Sequence, residues 1–182
     1  MKDDLKREIE LKAGVTAQLG GSLLKVKGPK GEVSRVFVHP KINVSLEGNK
    51  VVLFAPKATK REKTMIGSFE SHVMNMVQGV QEPYVYKLKI CSGHFPMSVS
   101  VAGNELIIKN FLGEAVPRKV ELVKGAEVKV AGEEIIVTSA DIEVAGQTAA
   151  KIESACRITN RDRRIFQDGC YITQKADKEM RA

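Results

Sequence analysis

Ile42-Asn43-Val44-Ser45-Leu46-Glu47-Gly48-Asn49-Lys50-Val51-Val52-Leu53 sets an alternating apolar and polar run, a short turn and a β-branched run in succession. Alternation places every second side chain on one face of a strand, and a Gly-containing turn between two such runs is a hairpin signature. The pattern returns at Glu127-Val128-Lys129-Val130-Ala131-Gly132-Glu133-Glu134-Ile135-Ile136-Val137, with Gly132 standing 84 residues after Gly48. A hairpin repeated at that distance points to a duplicated unit.

The similarity extends upstream. Leu23-Leu24-Lys25-Val26-Lys27-Gly28, continuing to Gly31-Glu32-Val33, resembles Leu106-Ile107-Ile108-Lys109-Asn110, continuing to Gly113-Glu114-Ala115. Both read as a strand, a glycine turn and another strand. Downstream, each copy turns helical. Thr59 and Glu62 have the spacing of a capping box, and Met65, Ile66, Phe69, Val73, Met76 and Val77 fall on one helical face until Gly79. In the second copy Ser139 or Asp141 can cap a helix whose apolar stripe is Ile142, Ala145, Ala149, Ile152 and Ala155. Strands followed by a helix, twice, predict an α+β fold of two tandem similar domains, each an antiparallel β-sheet covered by one α-helix.

The expected domains are residues 1–82 and 83–182. Gln81-Glu82-Pro83 is the joint, because proline stops the helix and favours an extended exit into a strand at Tyr84–Ile90. Residues 4–11 alternate in charge and fit either a short helix or an added strand. The second domain carries an extension that the first lacks, Cys156 to Thr173 and a polar end.

With 182 residues and 43% hydrophobic content the chain can bury a core, and its net charge of +7 favours a polyanionic partner, nucleic acid ahead of a membrane. No apolar run approaches the roughly 18 residues of a membrane span, and the start is too charged for a secretory signal. Three widely spaced cysteines, Cys91, Cys156 and Cys170, suit free thiols in a reducing, cytoplasmic setting. The absence of tryptophan and the 5% aromatic content argue against a base-stacking sheet, so any RNA contact would rest on backbone charge and shape.

Clustering singles out the extension. Arg157, Arg161, Arg163 and Arg164 fall within eight positions, opposed only by Asp162 and Asp168, and arginine is otherwise scattered at Arg7, Arg35, Arg61, Arg118 and Arg181. A guanidinium fork fits phosphate oxygens, although a charged run commonly serves only as a solvated face. Bulk charge does not make the distinction: residues 1–82 hold 14 basic and 9 acidic side chains, and 83–182 hold 15 and 13.

Other motifs carry less. Gly28-Pro29-Lys30-Gly31 matches the GxxG of a KH domain, but its flanks alternate like strands, which favours a hairpin turn whose lysine could still touch phosphate. Cys91-Ser92-Gly93-His94 forms a CxxH pair without a second close pair to complete a zinc site. A thiol enzyme would need a base and an orienting group that the sequence does not announce. Glu133-Glu134 lies in a turn, and no Walker or Rossmann glycine pattern is present, so no catalytic residue, cofactor or small-molecule substrate is expected. A protein-interaction module using an exposed sheet edge of the first domain is the alternative.

Three segments together are specific: His94-Phe95-Pro96-Met97-Ser98-Val99, Asn110-Phe111-Leu112-Gly113-Glu114, and Asn160-Arg161-Asp162-Arg163-Arg164-Ile165-Phe166-Gln167-Asp168-Gly169-Cys170-Tyr171. In order and spacing the chain resembles the family of protein six of the large ribosomal subunit, in its archaeal and eukaryotic branch. That resemblance implies two tandem α+β folds, a structural role in the ribosome, and large-subunit ribosomal RNA and neighbouring ribosomal proteins as partners. It also implies a place beside the sarcin-ricin region and the stalk base, with most RNA contacts made by the second domain. The RNA contacts it implies are His94, Phe95, Pro96, Arg157, Arg161, Arg163, Arg164, Lys175 and Lys178. Cys170 stands where the resemblance implies an aliphatic residue, a change that a buried thiol tolerates.

Overall fold

A computed structural model describes residues 3–176 and 178–179, and the chain divides into two compact units, Met1–Pro83 and Tyr84–Ala182. The first unit contains β1 (Asp3–Glu10), β2 (Thr16–Gly20), β3 (Leu23–Gly28), β4 (Gly31–Val36), β5 (Asn43–Glu47), β6 (Lys50–Ala58) and α1 (Lys60–Gly79). Its strands form two antiparallel three-stranded sheets, ordered β1-β6-β5 and β2-β3-β4. The stretch that the sequence leaves open between helix and strand is therefore a strand. Ile9 alternates inward between Glu8 and Glu10, and β1 pairs along β6 with Ile9 opposite Val51.

The second unit repeats this order with β7 (Tyr84–Cys91), β8 (Ser98–Ala102), β9 (Glu105–Lys109), β10 (Arg118–Glu121), β11 (Glu127–Ala131), β12 (Glu134–Ser139) and α2 (Ile142–Ala155), then adds β13 (Gly169–Lys175) and β14 (Lys178–Glu179). One sheet is β10-β9-β8. The other is β11-β12-β7-β13-β14, so the extension lies against the edge of β7 that faces away from β12. Each unit thus has the expected sheet and helix, together with a second three-stranded sheet.

The two hairpins at Gly48 and Gly132 are present, β5 to β6 and β11 to β12. The GxxG segment is a two-residue hairpin in which Gly28 faces Gly31. Its counterpart also joins two paired strands through a glycine turn, but a longer one. The chain leaves β9 at Lys109 and enters β10 only at Arg118, because Asn110, Leu112 and Gly113 adopt positive φ and Pro117 cannot donate to a ladder.

Both helices cover their sheets with the expected stripes. Ile66, Phe69, Val73, Met76 and Val77 are buried on α1, and Ala145, Ala149 and Ile152 on α2. Asp141 caps α2 by accepting from the Glu143 N–H at 2.9 Å, while the Ser139 hydroxyl braces the turn by donating to the Gly125 carbonyl.

The α1 capping box is complete. The Glu62 carboxylate accepts from the Thr59 backbone N–H at 2.9 Å and from the Thr59 hydroxyl, with Lys41 Nζ at 3.3 Å. These Thr59 bonds, ahead of the cost of burial, hold the carboxyl down from 4.5 to about 2. Because the folded value is depressed, the stabilisation is complete above about pH 4.5 and is lost as pH falls towards 2. Glu62→Gln is expected to remove that part of the acid limb, flattening the loss of stability in urea melts across this window. An unchanged limb would show that the box contributes nothing.

Candidate nucleic-acid interface

β13 begins with Gly169 opposite Cys91, the last residue of β7, which brings the end of the arginine-rich loop beside the start of the His94 loop. Asp168 fastens the two. Only 3% exposed, it accepts from the Gly93 N–H and from the His94 N–H at 3.1 Å, and its second oxygen meets His94 Nδ1 at 2.8 Å. Burial alone would raise its pKa, but the bonds from His94 and the two backbone N–H groups outweigh it and hold the carboxyl below the usual range. The His94 ring lies 4.7 Å from Phe166, and the Arg161 guanidinium stands 5.0 Å over the Phe166 ring.

The turn at Asn110–Glu114 fixes the other side. Asn110 Nδ2 donates to the Pro96 carbonyl at 3.0 Å. Phe95 packs where a Cβ on Gly113 would be 3.5 Å from its ring, and the φ of +78° at Gly113 suits glycine. Phe111 is 1% exposed and carries the Arg118 guanidinium at 4.2 Å. Arg118 is held by Glu114 at 2.8 and 2.5 Å and donates to the carbonyls of Ala155 at 2.7 Å and Arg157 at 3.3 Å. Carbonyls at a helix C-terminus have no partner within the helix, so Arg118 satisfies the end of α2 and sets where Arg157 leaves it. In the sequence Arg118 is one scattered arginine among five, and only its spacing of four from Glu114 hints at this role.

His94, Phe95, Pro96, Arg157, Arg161, Arg163 and Arg164 are exposed residues carried on these linked loops. Arg157 and Arg163 form no ion pair among the described residues. Arg164 is bonded to Asp162 at 2.8 and 3.1 Å but keeps 90% of its side chain in solvent, so its charge is shared and not turned inward. The expectation that Asp162 and Asp168 both oppose the arginines needs correction: Asp168 is committed to the His94 loop, whose N–H groups and ring reach it first. Lys175 is exposed but lies at the far end of β13, about 20 Å along the strand from Gly169 at roughly 3.3 Å per residue. Lys178 lies on β14, and its side chain is outside the described residues.

Cys156 and Cys170 are 4% and 1% exposed within the apolar core of the second unit. Hydrogen bonding to Cys156 and burial push the Cys170 thiol well up, so it stays protonated and is a poor nucleophile. Among the described residues no helix is long and apolar enough to cross a membrane.

Fold and site together define a class: a tandem α+β scaffold whose buried polar anchors present a face of cationic and aromatic loops. The family model described as Ribosomal protein L6 matches residues 12–83 and 95–169, one segment in each unit. The chain is 47% identical over 172 residues to "Large ribosomal subunit protein uL6" of Saccharolobus solfataricus, covering 94% of this chain and 95% of that one. The proteins of that name from Methanocella arvoryzae and Methanococcus vannielii are 46% and 44% identical, covering 93% and 97% of this chain and 97% of each of theirs. The chain belongs to the Ribosomal protein L6 family, and is accordingly a structural protein of the ribosome and not an enzyme.

Proposed function

We propose that this protein is a large-subunit constituent that binds ribosomal RNA through the face built from the His94 loop, the Asn110–Glu114 turn and the arginine loop, next to the sarcin-ricin region and the stalk base. One observation carries the reading: the three segments that mark the family, joined by a bond between residues 74 positions apart in sequence, converge on a single exposed cationic face of the second unit. Arg157, Arg161 and Arg163 displace counterions from phosphates, while His94 and Phe95 offer polar and apolar contacts to a shaped RNA surface. The position beside the sarcin-ricin region rests on family resemblance.

The test is binding of the full chain to a large-subunit RNA fragment containing the sarcin-ricin stem, titrated at several salt concentrations. Changing Arg157, Arg161 and Arg163 together to alanine is expected to weaken binding about 10- to 100-fold and to make the salt slope shallower by about 2. Full affinity with an unchanged slope would move the RNA contact elsewhere.

A further inference from the structure

The internal duplication shows what is missing from the first unit. In the second, the outer edge of β7 is covered by β13, with Cys170 opposite Ile90 and Ile172 opposite Leu88. In the first, the corresponding strand is β1. Ile9 pairs with Val51 as Leu88 pairs with Ile135, and the Leu11 N–H donates to Asn49 as the Ile90 N–H donates to Glu133, at 2.9 and 2.7 Å. Among the described residues β1 pairs with β6 alone, so its outer edge carries no strand. Every second residue of such an edge points its N–H and C=O groups outward, as a template for another strand.

The helices carry the comparison further. Setting the buried Ile66, Phe69 and Val73 of α1 against Ala149 and Ile152 of α2 and Cys156 at its C-cap places Glu70 opposite Glu153. Glu153 Oε1 accepts the N–H of Ile172, so the helix helps to hold the added strand. Among the described residues Glu70 has one ion-pair contact, to Arg7 at 3.7 Å, and is partly exposed. It borders an open groove of about 350 Å³ along the β1 edge, floored by Ile9 and Val77 with the exposed Met74 at its rim. Charge reverses between copies at two positions of this edge, where Lys87 and Lys89 on β7 correspond to Glu8 and Glu10 on β1, while Lys12 also lines the groove. Lys6 and Lys50 already pair with these glutamates, in exposed contacts that are individually weak and readily shared.

We propose that the outer edge of β1 docks an extended basic segment of a neighbouring protein, which joins the first unit as an antiparallel strand in the place that β13 occupies in the second. Its inward positions hold small or aliphatic side chains over Ile9 and Leu11, as Cys170 and Ile172 sit beside Ile90 and Leu88. Its outward positions hold lysine or arginine facing Glu8 and Glu10, and one N–H is accepted by Glu70. Main-chain bonds give such a contact its affinity, and the alternating side chains give its specificity. The inference stands independently of the RNA contact on the second unit.

The test uses the full chain and a fluorescein-labelled peptide copying Gly169–Lys175 with Cys170→Ser and Tyr171→Lys. Fluorescence anisotropy is expected to show micromolar binding that weakens with salt, and amide exchange to show new protection confined to residues 3–10. Glu10→Lys in the protein is expected to weaken binding at least 10-fold, and an otherwise identical peptide with glutamate at the Tyr171 position to recover it. Glu70→Ala is expected to weaken binding several-fold. Protection on residues 84–91 instead, or binding indifferent to both substitutions, would overturn the proposal. A peptide-free mass twice that of the chain, returned to monomer by Glu10→Lys, would make a second copy the occupant and overturn the basic-segment reading.

Discussion

Asp168→Ala is expected to lower the stability of the second unit by about 2–3 kcal/mol, the effect of removing a buried acceptor from three partners. Two backbone N–H groups, Gly93 and His94, lose their acceptor, and the His94 ring loses the bond that orients it on Phe166. All three tyrosines, Tyr84, Tyr86 and Tyr171, lie in this unit, so urea unfolding followed by tyrosine fluorescence reports on it directly. With the anchor gone, the loop carrying Arg161, Arg163 and Arg164 is expected to be cut by trypsin much faster than in the parent.

Asp168→Asn separates charge from hydrogen bonding. Its amide oxygen can still accept from both N–H groups while its NH₂ donates to Nδ1 of the other imidazole tautomer, so a loss of only about 1 kcal/mol is expected. The carboxylate's folded pKa is depressed, so its contribution is present above the unfolded value and lost as pH falls through the folded one; the asparagine variant should lack that step. An alanine variant as stable and as trypsin-resistant as the parent would remove Asp168 as the organiser of the face.

Why Asp168 escapes a reading of the sequence is physical. Its partners are 74 and 75 positions away, and a long-range bond leaves no spacing to recognise. By contrast α1 was legible because its cap, Thr59 with Glu62, and its apolar stripe are local and agree. The hairpins at Gly48 and Gly132 were legible through their period of two. β1 was ambiguous because its exposed positions, Lys6, Arg7, Glu8 and Glu10, carry charges that suit a helix surface as well as an edge strand. Between β9 and β10 the glycine turn was legible but its length was not: asparagine tolerates the left-handed backbone at Asn110, whereas nothing in the residue type announces it at Leu112, beside the packed Phe111 and Arg118. The arginine cluster was visible as composition. That it is aimed outward, with Arg118 and Asp168 holding its two ends, belongs to tertiary structure.

The glycine pair that imitates a KH loop has its own reason, and Gly28→Ala exposes it. A Cβ at residue 28 would stand 2.7 Å from the Val80 carbonyl oxygen and 2.8 Å from Val80 Cγ2. That same carbonyl accepts the Lys30 N–H at 2.9 Å, docking the hairpin tip on the residue that follows α1. The hairpin therefore cannot move away from the new methyl without breaking this bond, and Val80 is 0% exposed and has nowhere to go. Overpacking and the lost bond together are expected to cost about 3 kcal/mol. Exchange of the Lys30 amide should rise with it. Gly20→Ala is the control: nothing lies within 4 Å of its added Cβ, so its effect should stay within about 0.5 kcal/mol. Val80→Ala removes Cγ2 but leaves the carbonyl oxygen at 2.7 Å and the Val80 Cβ at 2.9 Å, so adding it should not fully rescue Gly28→Ala. Full rescue would show that the clash is with the side chain alone and that the docked carbonyl is free to yield.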